Sequence, residues 1–441
     1  MSLNRRTVCL AAALAGMLPT LLLLAAGGEQ ADTDALAHLI WARQLLDHGE
    51  ITIAEDGVCH DPSLYWPNTV PKPLPLLLSI PAAGLGGAGT LQALWIVMGF
   101  LALVGAARLG MRIAGPGAAW ICSLGLGLNP AWVMLVLRCR PAAVLIGIVV
   151  ALPAGRASAL DPLAALVRPE GIFVAGWRAL RSRSATTWLL LIAAVAVWPA
   201  LNLAASGDPL WSAREVRVAV EQMAYPTPGP ATYPLLLGRR LFLVAGPVLA
   251  LVLLRFYRRW PLWVPVSAYA ALLWVSLAGG SLVLPRYLDP LVLMAVPWSA
   301  AVLWRMTRGW PGRVRLGVAG LALASACTLW PSALGAWRSE LDLQRSLEDL
   351  GFRGWEGRLA VNELLVPRIA ESAGLTDLSA GFVALDRAAW KDADLDDMGV
   401  GSVAVFPHTP YLPEHTREYL ERRGIEPDTL GTEAKCQSRD L

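Results

Sequence analysis

Long apolar runs, separated by short polar segments, follow one another along the first three quarters of the chain. Between Thr186 and Ser206, for example, no side chain is ionisable, and a helix of about 20 apolar residues is long enough to cross a bilayer. The first run follows Arg5 and Arg6 without a clear cleavage site, so we expect an uncleaved membrane anchor. The pattern predicts nine membrane spans, near residues 7–27, 91–108, 115–137, 141–155, 186–205, 240–256, 261–282, 288–304 and 316–333.

Two further apolar stretches are interrupted. Residues 73–88 contain prolines and glycines, which predicts a short juxtamembrane helix that lies at, or dips into, the outer surface. Residues 158–180 have Arg168-Pro169-Glu170 at their centre, which predicts two half-helices that meet at a charged tip. If this pair counts as two spans, the total rises from nine to eleven.

The pattern changes after about Trp337, where charged residues return and short apolar runs alternate with helical segments. The predicted strands are 358–362, 381–386 and 402–406, and the predicted helices are 363–373 and 413–423. This alternation is typical of a small α/β domain with a partly parallel sheet. The expected fold class is an α-helical polytopic membrane protein over 1–337, with about 9–11 spans plus juxtamembrane helices, and a small C-terminal α/β domain over 338–441.

The arginines predict the orientation of the spans, because cytoplasmic loops of membrane proteins are rich in basic residues. With the N-terminus inside, fifteen arginines fall in inner loops that contain almost no acid. The first outer loop is then 28–72, the second large outer loop is 206–238, and the C-terminal domain lies outside the cytoplasmic (inner) membrane. The main exception is Arg239–Arg240, which this orientation places outside.

Composition supports a membrane protein and excludes some other classes. Of 441 residues, 55% are hydrophobic and 16% are charged, whereas soluble domains carry about 25% charged residues. The net charge of +3 is too small to indicate nucleic acid, so membrane lipids are the expected surroundings. The six cysteines lack metal-ligand spacing, and a disulfide between Cys59 and Cys436 stays open.

Two aspartates, Asp32 and Asp34, stand just after the first span. Behind them, apolar residues repeat at helical spacing, and His38 lies four residues after Asp34, on the same face of a helix. One interpretation is helix capping, a role that aspartate favours. The other is a general base or metal-binding acid at the outer interface, since a carboxylate within hydrogen-bond reach can take a proton from a hydroxyl.

Three segments carry a resemblance to a known family. Asp34, His38, Ala42, Arg43, Leu45 and Leu46 form a helix of the type D-x-x-x-[YH]-x-x-x-A-R-x-L-L, and 72-KPLPLLLSIPAAGL-85 follows. Later, 166-LVRPEG-171 and 285-PRYLDPLVL-293 add an RPEG hairpin and an RY-x-x-P segment. In order and spacing these resemble the GT-C membrane glycosyltransferases, in particular the glycosyltransferase 39 group of protein mannosyltransferases and aminoarabinose transferases. Ala35, where many members have a second acid, and the displaced Pro75 depart from the family pattern.

The resemblance implies transfer of a sugar from a polyprenyl-phosphate donor to a glycan, lipid or protein acceptor on the outer face, with inversion. Asp34 would act on the acceptor hydroxyl. Asp32 would either tune Asp34 by like-charge repulsion or help bind a divalent cation, Mg²⁺ or Mn²⁺. His38 would orient Asp34 or contact the substrate.

Cations near the outer face are candidates for the donor phosphate, because guanidinium groups bind phosphate through a fork of donors and charges within a membrane usually mark function. The candidates are Arg286 and Arg140, followed by Lys72 and Arg168. For Arg286, the alternative is an interface anchor flanked by aromatic residues. Arg168 and Glu170 are expected to form a buried structural ion pair that holds the hairpin. Trp66 and Tyr65 are either interface anchors or stack on a sugar.

Two other functions fit a polytopic chain. A transporter or flippase of lipid-linked saccharides would also contain broken helices and embedded charges, although the sequence shows no inverted repeat. A non-catalytic partner in envelope assembly would bind through the C-terminal domain. Both stay open at this point.

Overall fold

A computed structural model of the chain is mostly helical, as the sequence predicts. The residues it describes are 4–27, 31–49, 72–151, 161–182, 184–210, 229–278, 285–349, 358–361, 366–373, 382–384, 400–404, 418 and 421–422. The helices are α1 (Arg5–Gly27), α2 (Thr33–His48), α3 (Pro73–Leu85), α4 (Ala88–Ala114), α5 (Pro116–Gly127), α6 (Pro130–Leu137), α7 (Pro141–Ala151), α8 (Leu163–Val167), α9 (Pro169–Ser182), α10 (Ala185–Ser206), α11 (Tyr233–Ala245), α12 (Pro247–Phe256), α13 (Trp263–Ala278), α14 (Asp289–Met306), α15 (Gly312–Ala326), α16 (Trp330–Asp349) and α17 (Val366–Ala373). Short 3₁₀ turns follow α12 (Tyr257–Arg259) and precede α14 (Pro285–Leu288).

Several helices are long and apolar enough to cross a membrane. Within the described ranges there are four: Arg5–Gly27, Ala88–Ala114, Ala185–Ala204 and Gly312–Ser339. Two bent pairs, α5 with α6 (64°) and α11 with the helical segment Pro247–Arg259 (120°), raise the number to six if each pair is one span. Membrane character is thus supported by length and composition.

These four helices and two bent pairs account for six of the nine predicted spans within the described ranges. The predicted spans 141–155 and 261–282 are described over α7 and α13, which have 11 and 16 residues. Residues 152–160 and 279–284, which follow these helices, lie outside the described ranges, so these two spans stay predictions. The predicted span 288–304 corresponds to α14, which has 18 residues and is not among the helices that length and apolar composition select. Every residue of α14 from Asp289 to Ala301 is buried.

The chain forms two compact units. The first unit consists of Met1–Ala31, Gly89–Val197 and Thr227–Leu334, and the second unit of Asp32–Ala88, Trp198–Pro226 and Gly335–Leu441.

In the first unit, α14 is the central helix and packs against α5, α7, α11, α12 and α15. A helix that is apolar on all sides is expected to be buried in this way. At the contact between α1 and α5, the two helices approach so closely that a Cβ atom on Gly127 would lie 2.2 Å from the backbone oxygen of Gly16. Small residues at such a contact are common where membrane helices pack backbone to backbone.

Side chains near the breaks in the two bent pairs form hydrogen bonds with backbone groups that the breaks leave unpaired. Asn129 begins α6: its Oδ1 accepts from the backbone N–H of Ala131 at 3.0 Å, and its Nδ2 donates to the carbonyl of Val244 near the end of α11 at 2.6 Å. The indole of Trp330 donates to the carbonyl of Leu128 at 2.9 Å. These side chains replace hydrogen bonds that the interrupted helices lose, which is necessary where water is scarce.

The second unit contains α2, α3 and α17 together with three short strands. Strand β1 (Arg358–Val361) lies between β2 (Phe382–Ala384) and β3 (Val400–Ala404) and pairs in parallel with both. Helix α2 packs against α3 and against α17. No disulfide links the cysteines within the described ranges, and Cys59 and Cys436 lie outside those ranges.

Gly246 separates α11 from α12, with φ at +77° and ψ at 149°, a region that residues other than glycine rarely adopt. A Cβ atom at this position would lie 2.6 Å from the backbone of Ser325. We predict that Gly246→Ala destabilises the fold by about 2 kcal/mol or more, because strain and overlap add. Thermal unfolding in detergent measures this loss.

Gly238→Ala is the matched control, because Gly238 lies inside α11 and a Cβ atom there meets nothing within 4 Å. It should unfold at or slightly above the temperature of the unmodified protein. Equal unfolding temperatures for both variants would contradict the account of the break.

Candidate active site

The acid pair occupies the first turn of α2, where its two members have different roles. Asp32 has an extended backbone, and its Oδ1 accepts from the backbone N–H of Ala35 at 3.1 Å. Asp32 is therefore the N-cap of the helix, the role that the sequence offered for the pair as a whole. Asp34 lies one step inside the helix, so it is not the capping residue.

Asp34 faces Lys72, the residue immediately before α3. Its Oδ2 lies 3.4 Å from the Nζ of Lys72. The Asp34 side chain is 41% exposed, whereas that of Lys72 is 14% exposed. The pair thus combines an accessible carboxylate with an ammonium group whose stem is enclosed by protein.

His38 explains why Lys72 lies at this place. The Nε2 atom of His38 accepts from the backbone N–H of Lys72 at 2.9 Å, and its Nδ1 donates to the backbone carbonyl of Asp34 at 2.5 Å. Only a neutral ring can accept at one nitrogen and donate at the other. The beginning of α3 is therefore fastened to the first turn of α2 through this imidazole.

Burial keeps the His38 ring neutral. The residue is 1% exposed, and this burial, aided by the charge of Lys72, lowers the pKa of His38 to about 3 against the opposing effect of the Asp34 backbone and carboxylate. The prediction that His38 contacts the substrate or orients the Asp34 carboxylate needs correction. Both ring nitrogens contact backbone groups, so His38 positions Lys72 instead.

The other candidates for substrate contact lie in the first unit or outside the described part of the chain. Arg140 belongs to the first unit, where it is half-buried and its carbonyl accepts from the indole of Trp95 at 2.9 Å. Arg286 lies in the turn Pro285–Leu288, and its side chain is outside the described part. Tyr65 and Trp66 also lie outside it, so their roles stay predictions.

Arg168 and Glu170 form the predicted ion pair at the junction of α8 and α9. The Nε of Arg168 lies 2.5 Å from Oε1 of Glu170, and the Glu170 side chain is fully buried. Phe173 of α9 packs edge-on against Tyr269 of α13. The pair is enclosed within the first unit, which fits a structural role.

Two further buried pairs were missed by sequence reasoning. Arg240 of α11 binds both carboxylate oxygens of Asp289, at 2.5 and 2.6 Å, and Arg178 binds Asp161 at 2.6 Å. Arg239–Arg240 was the exception to the arginine distribution, and for Arg240 the bidentate pair with Asp289 offsets the cost of burying the charge. That exception was the one available signal for the pair.

The acid pair is also a candidate site for a divalent cation, Mg²⁺ or Mn²⁺. Among the residues that the structure describes, no three His, Cys, Asp or Glu residues lie close enough together to hold a metal ion. Asp32 caps the helix through Oδ1, and Asp34 pairs with Lys72 through Oδ2.

What remains is an exposed carboxylate beside a fixed ammonium group. A carboxylate can accept a proton from a hydroxyl that approaches through water. The ammonium group can attract an anion such as a phosphate. The same pair can therefore deprotonate a hydroxyl nucleophile through its carboxylate and attract an anionic leaving group through its ammonium group.

Comparisons with known proteins add no identification: no family model, no curated protein and no solved structure matches this chain.

The neutral state of His38 generates a pH prediction. Because its pKa in the folded protein is about 3, below the ordinary value near 6.5, the unfolded chain binds more protons between these values. The free energy of unfolding should therefore fall as the pH is lowered from about 6.5 towards 3. In His38→Gln this part of the pH dependence should disappear, as measured by thermal unfolding in detergent over a series of acidic buffers.

The control is His48→Gln, since His48 is exposed at the other end of α2. It should keep the pH dependence of the unmodified protein. A His38→Gln variant that keeps the full slope would show that the ring is not buried and neutral.

Proposed function

We propose that this chain is a membrane glycosyltransferase of the GT-C type, which transfers a sugar from a polyprenyl-phosphate donor to an acceptor at the membrane surface. The observation that carries the proposal is the Asp34 carboxylate. It is 41% exposed, lies beside an anchored Lys72, and is spared from capping because Asp32 does that work.

The proposed reaction is a single displacement. Asp34 takes the proton of the acceptor hydroxyl, and the hydroxyl oxygen attacks the anomeric carbon of the sugar. The bond between that carbon and the phosphate oxygen breaks, and polyprenyl phosphate leaves with the electron pair. Attack from the side opposite to the leaving group inverts the anomeric configuration.

Cations would stabilise the departing phosphate, since charge that develops during the reaction is best met by fixed groups of opposite sign. Lys72 already forms an ion pair with Asp34, at 3.4 Å. Arg140 and Arg286 are proposed to contribute guanidinium groups, and Tyr65 and Trp66 are proposed to contact the sugar.

The proposal includes a location. The arginine distribution favours a protein of the cytoplasmic membrane with its N-terminus inside, which would place Asp34 on the outer side. Residues 338–441 would then form an extracytoplasmic α/β domain, for which the parallel strands β1, β2 and β3 and helix α17 are the supporting elements.

We predict that Asp34→Asn lowers sugar transfer by at least about 100-fold, because general-base catalysis contributes roughly 10² to 10⁴ to a rate. The amide keeps the shape of the side chain and loses the proton acceptor. Mass spectrometry of envelope glycans and polyprenyl-phosphate sugars, in cells that carry only the variant, measures the outcome. One unused donor should accumulate, and its mass would identify the sugar.

Asp47→Asn is the matched control, because Asp47 is an exposed acid on the same helix. It should leave the lipid-linked sugars unchanged. Normal glycans and no accumulated donor in Asp34→Asn would refute the proposal.

A transporter of lipid-linked saccharides is the second candidate, and the two bent helix pairs favour it, because broken helices often line transport pathways. The same experiment separates the two functions. Loss of a transporter would leave intact lipid-linked saccharides on the inner leaflet, whereas loss of a transferase would leave them on the outer leaflet. Oxidation of the sugars by membrane-impermeant periodate distinguishes the leaflets.

A further inference from the structure

A second ion pair joins α2 to the C-terminal segment. Arg43 binds both carboxylate oxygens of Glu371: Nη1 lies 2.5 Å from Oε2, and Nη2 lies 3.0 Å from Oε1. The two residues are 328 positions apart in the chain, and their side chains are 20% and 19% exposed. A bidentate pair fixes direction as well as distance.

Arg43 and Asp34 lie on opposite sides of α2. They are nine positions apart, which at 3.6 residues per turn corresponds to two and a half turns and roughly 13 Å along the axis. Lys72 therefore occupies one side of the helix, and α17, which carries Glu371, occupies the other. All eight residues from Ala35 to Ala42 are buried between these ends, as are Ile369 and Ala370 of α17.

The turn after α3 closes the ion pair from a third direction. Gly87 has φ at +68°, and a Cβ atom there would lie 3.0 Å from Nη2 of Arg43 and 3.0 Å from Oε1 of Glu371. Helix α3 thus begins at Lys72, next to Asp34, and is followed at its far end by Gly87, next to Arg43. The Arg43–Glu371 pair therefore lies against both α2 and the turn that follows α3.

We propose that Glu371 is a positioning residue for Asp34. By binding Arg43, Glu371 of α17 fixes the orientation of α2 and so keeps the Asp34 carboxylate next to Lys72. The catalytic meaning of this arrangement rests on the proposed function. The positioning of Asp34 near Lys72 by Glu371 is independent of the proposed function, because it concerns only the distance between a carboxylate and an amine.

A zero-length cross-linker tests the claim without a substrate. A water-soluble carbodiimide joins a carboxylate and an amine in contact, with loss of water, so it should form an amide between Asp34 and Lys72. The chain has only three lysines, which makes the linked peptides easy to assign by mass spectrometry. The experiment uses the full-length protein in membranes.

The cross-link yield should fall several-fold in Arg43→Glu and in Glu371→Arg, and most of it should return in the double variant, in which the charges are exchanged. Arg345→Glu is the control, because it breaks an exposed pair with Asp342 in the same unit, where the side chains are 70% and 54% exposed. Its yield should equal that of the unmodified protein.

Glu371→Gln is a milder variant that tests whether misfolding explains a lower yield. Glutamine keeps the shape of the side chain and one acceptor oxygen but removes the charge, which weakens the pair with Arg43. It should lower the yield in the same direction and by less. If the cross-link yield stays unchanged in the single variants, or if charge exchange restores nothing, Glu371 does not position Asp34 and the inference is overturned. If Asp34→Asn leaves glycans normal while these yields change as expected, the proposed function fails and the positioning stands.

Discussion

A charge or an unbonded backbone group buried away from water is costly, and this constraint shapes the whole chain. In the first unit, three buried or half-buried arginines each bind a carboxylate: Arg168 binds Glu170, Arg178 binds Asp161 and Arg240 binds Asp289. Interrupted helices are treated in the same way, since Asn129 and Trp330 bond the carbonyls that the breaks expose. These paired charges stabilise the fold. Asp34 is different, because its ion pair leaves 41% of the side chain exposed.

In the second unit, the surroundings of the Asp34 carboxylate come from segments that are distant in sequence. The cap comes from Asp32, the anchoring ring from His38, the cation from the start of α3 and the opposing ion pair from α17. The Lys72 contacts hold the first turn of α2, and the Glu371 contact holds α2 at Arg43. A site assembled in this way depends on residues that touch no substrate. Glu371 of α17 is one of them, although it is far from Asp34 in the sequence.

Local features were predictable and distant pairings were not. A cap residue before an apolar helical pattern placed the start of α2, and apolar runs placed β1, β2 and β3 near residues 358–362, 381–386 and 402–406. The Gly246-Pro247 step signals a break, but the apolar content around it favoured a single span over 240–256. The partners Arg240–Asp289 and Arg43–Glu371 lie 49 and 328 residues apart, and no local pattern indicates such pairs. His38 shows the same limit: its spacing to Asp34 was evident, whereas its bond to Lys72 required the fold.

The central claim is that Asp34 acts in the chemical step and not in holding the donor. The most direct measurement compares purified wild-type protein and Asp34→Asn, each reconstituted with a lipid extract from cells, with mass spectrometry of the lipids bound and released. The account predicts that both proteins retain a polyprenyl-phosphate sugar and that only the wild type releases free polyprenyl phosphate as sugar is transferred. Equal release from both proteins would contradict it.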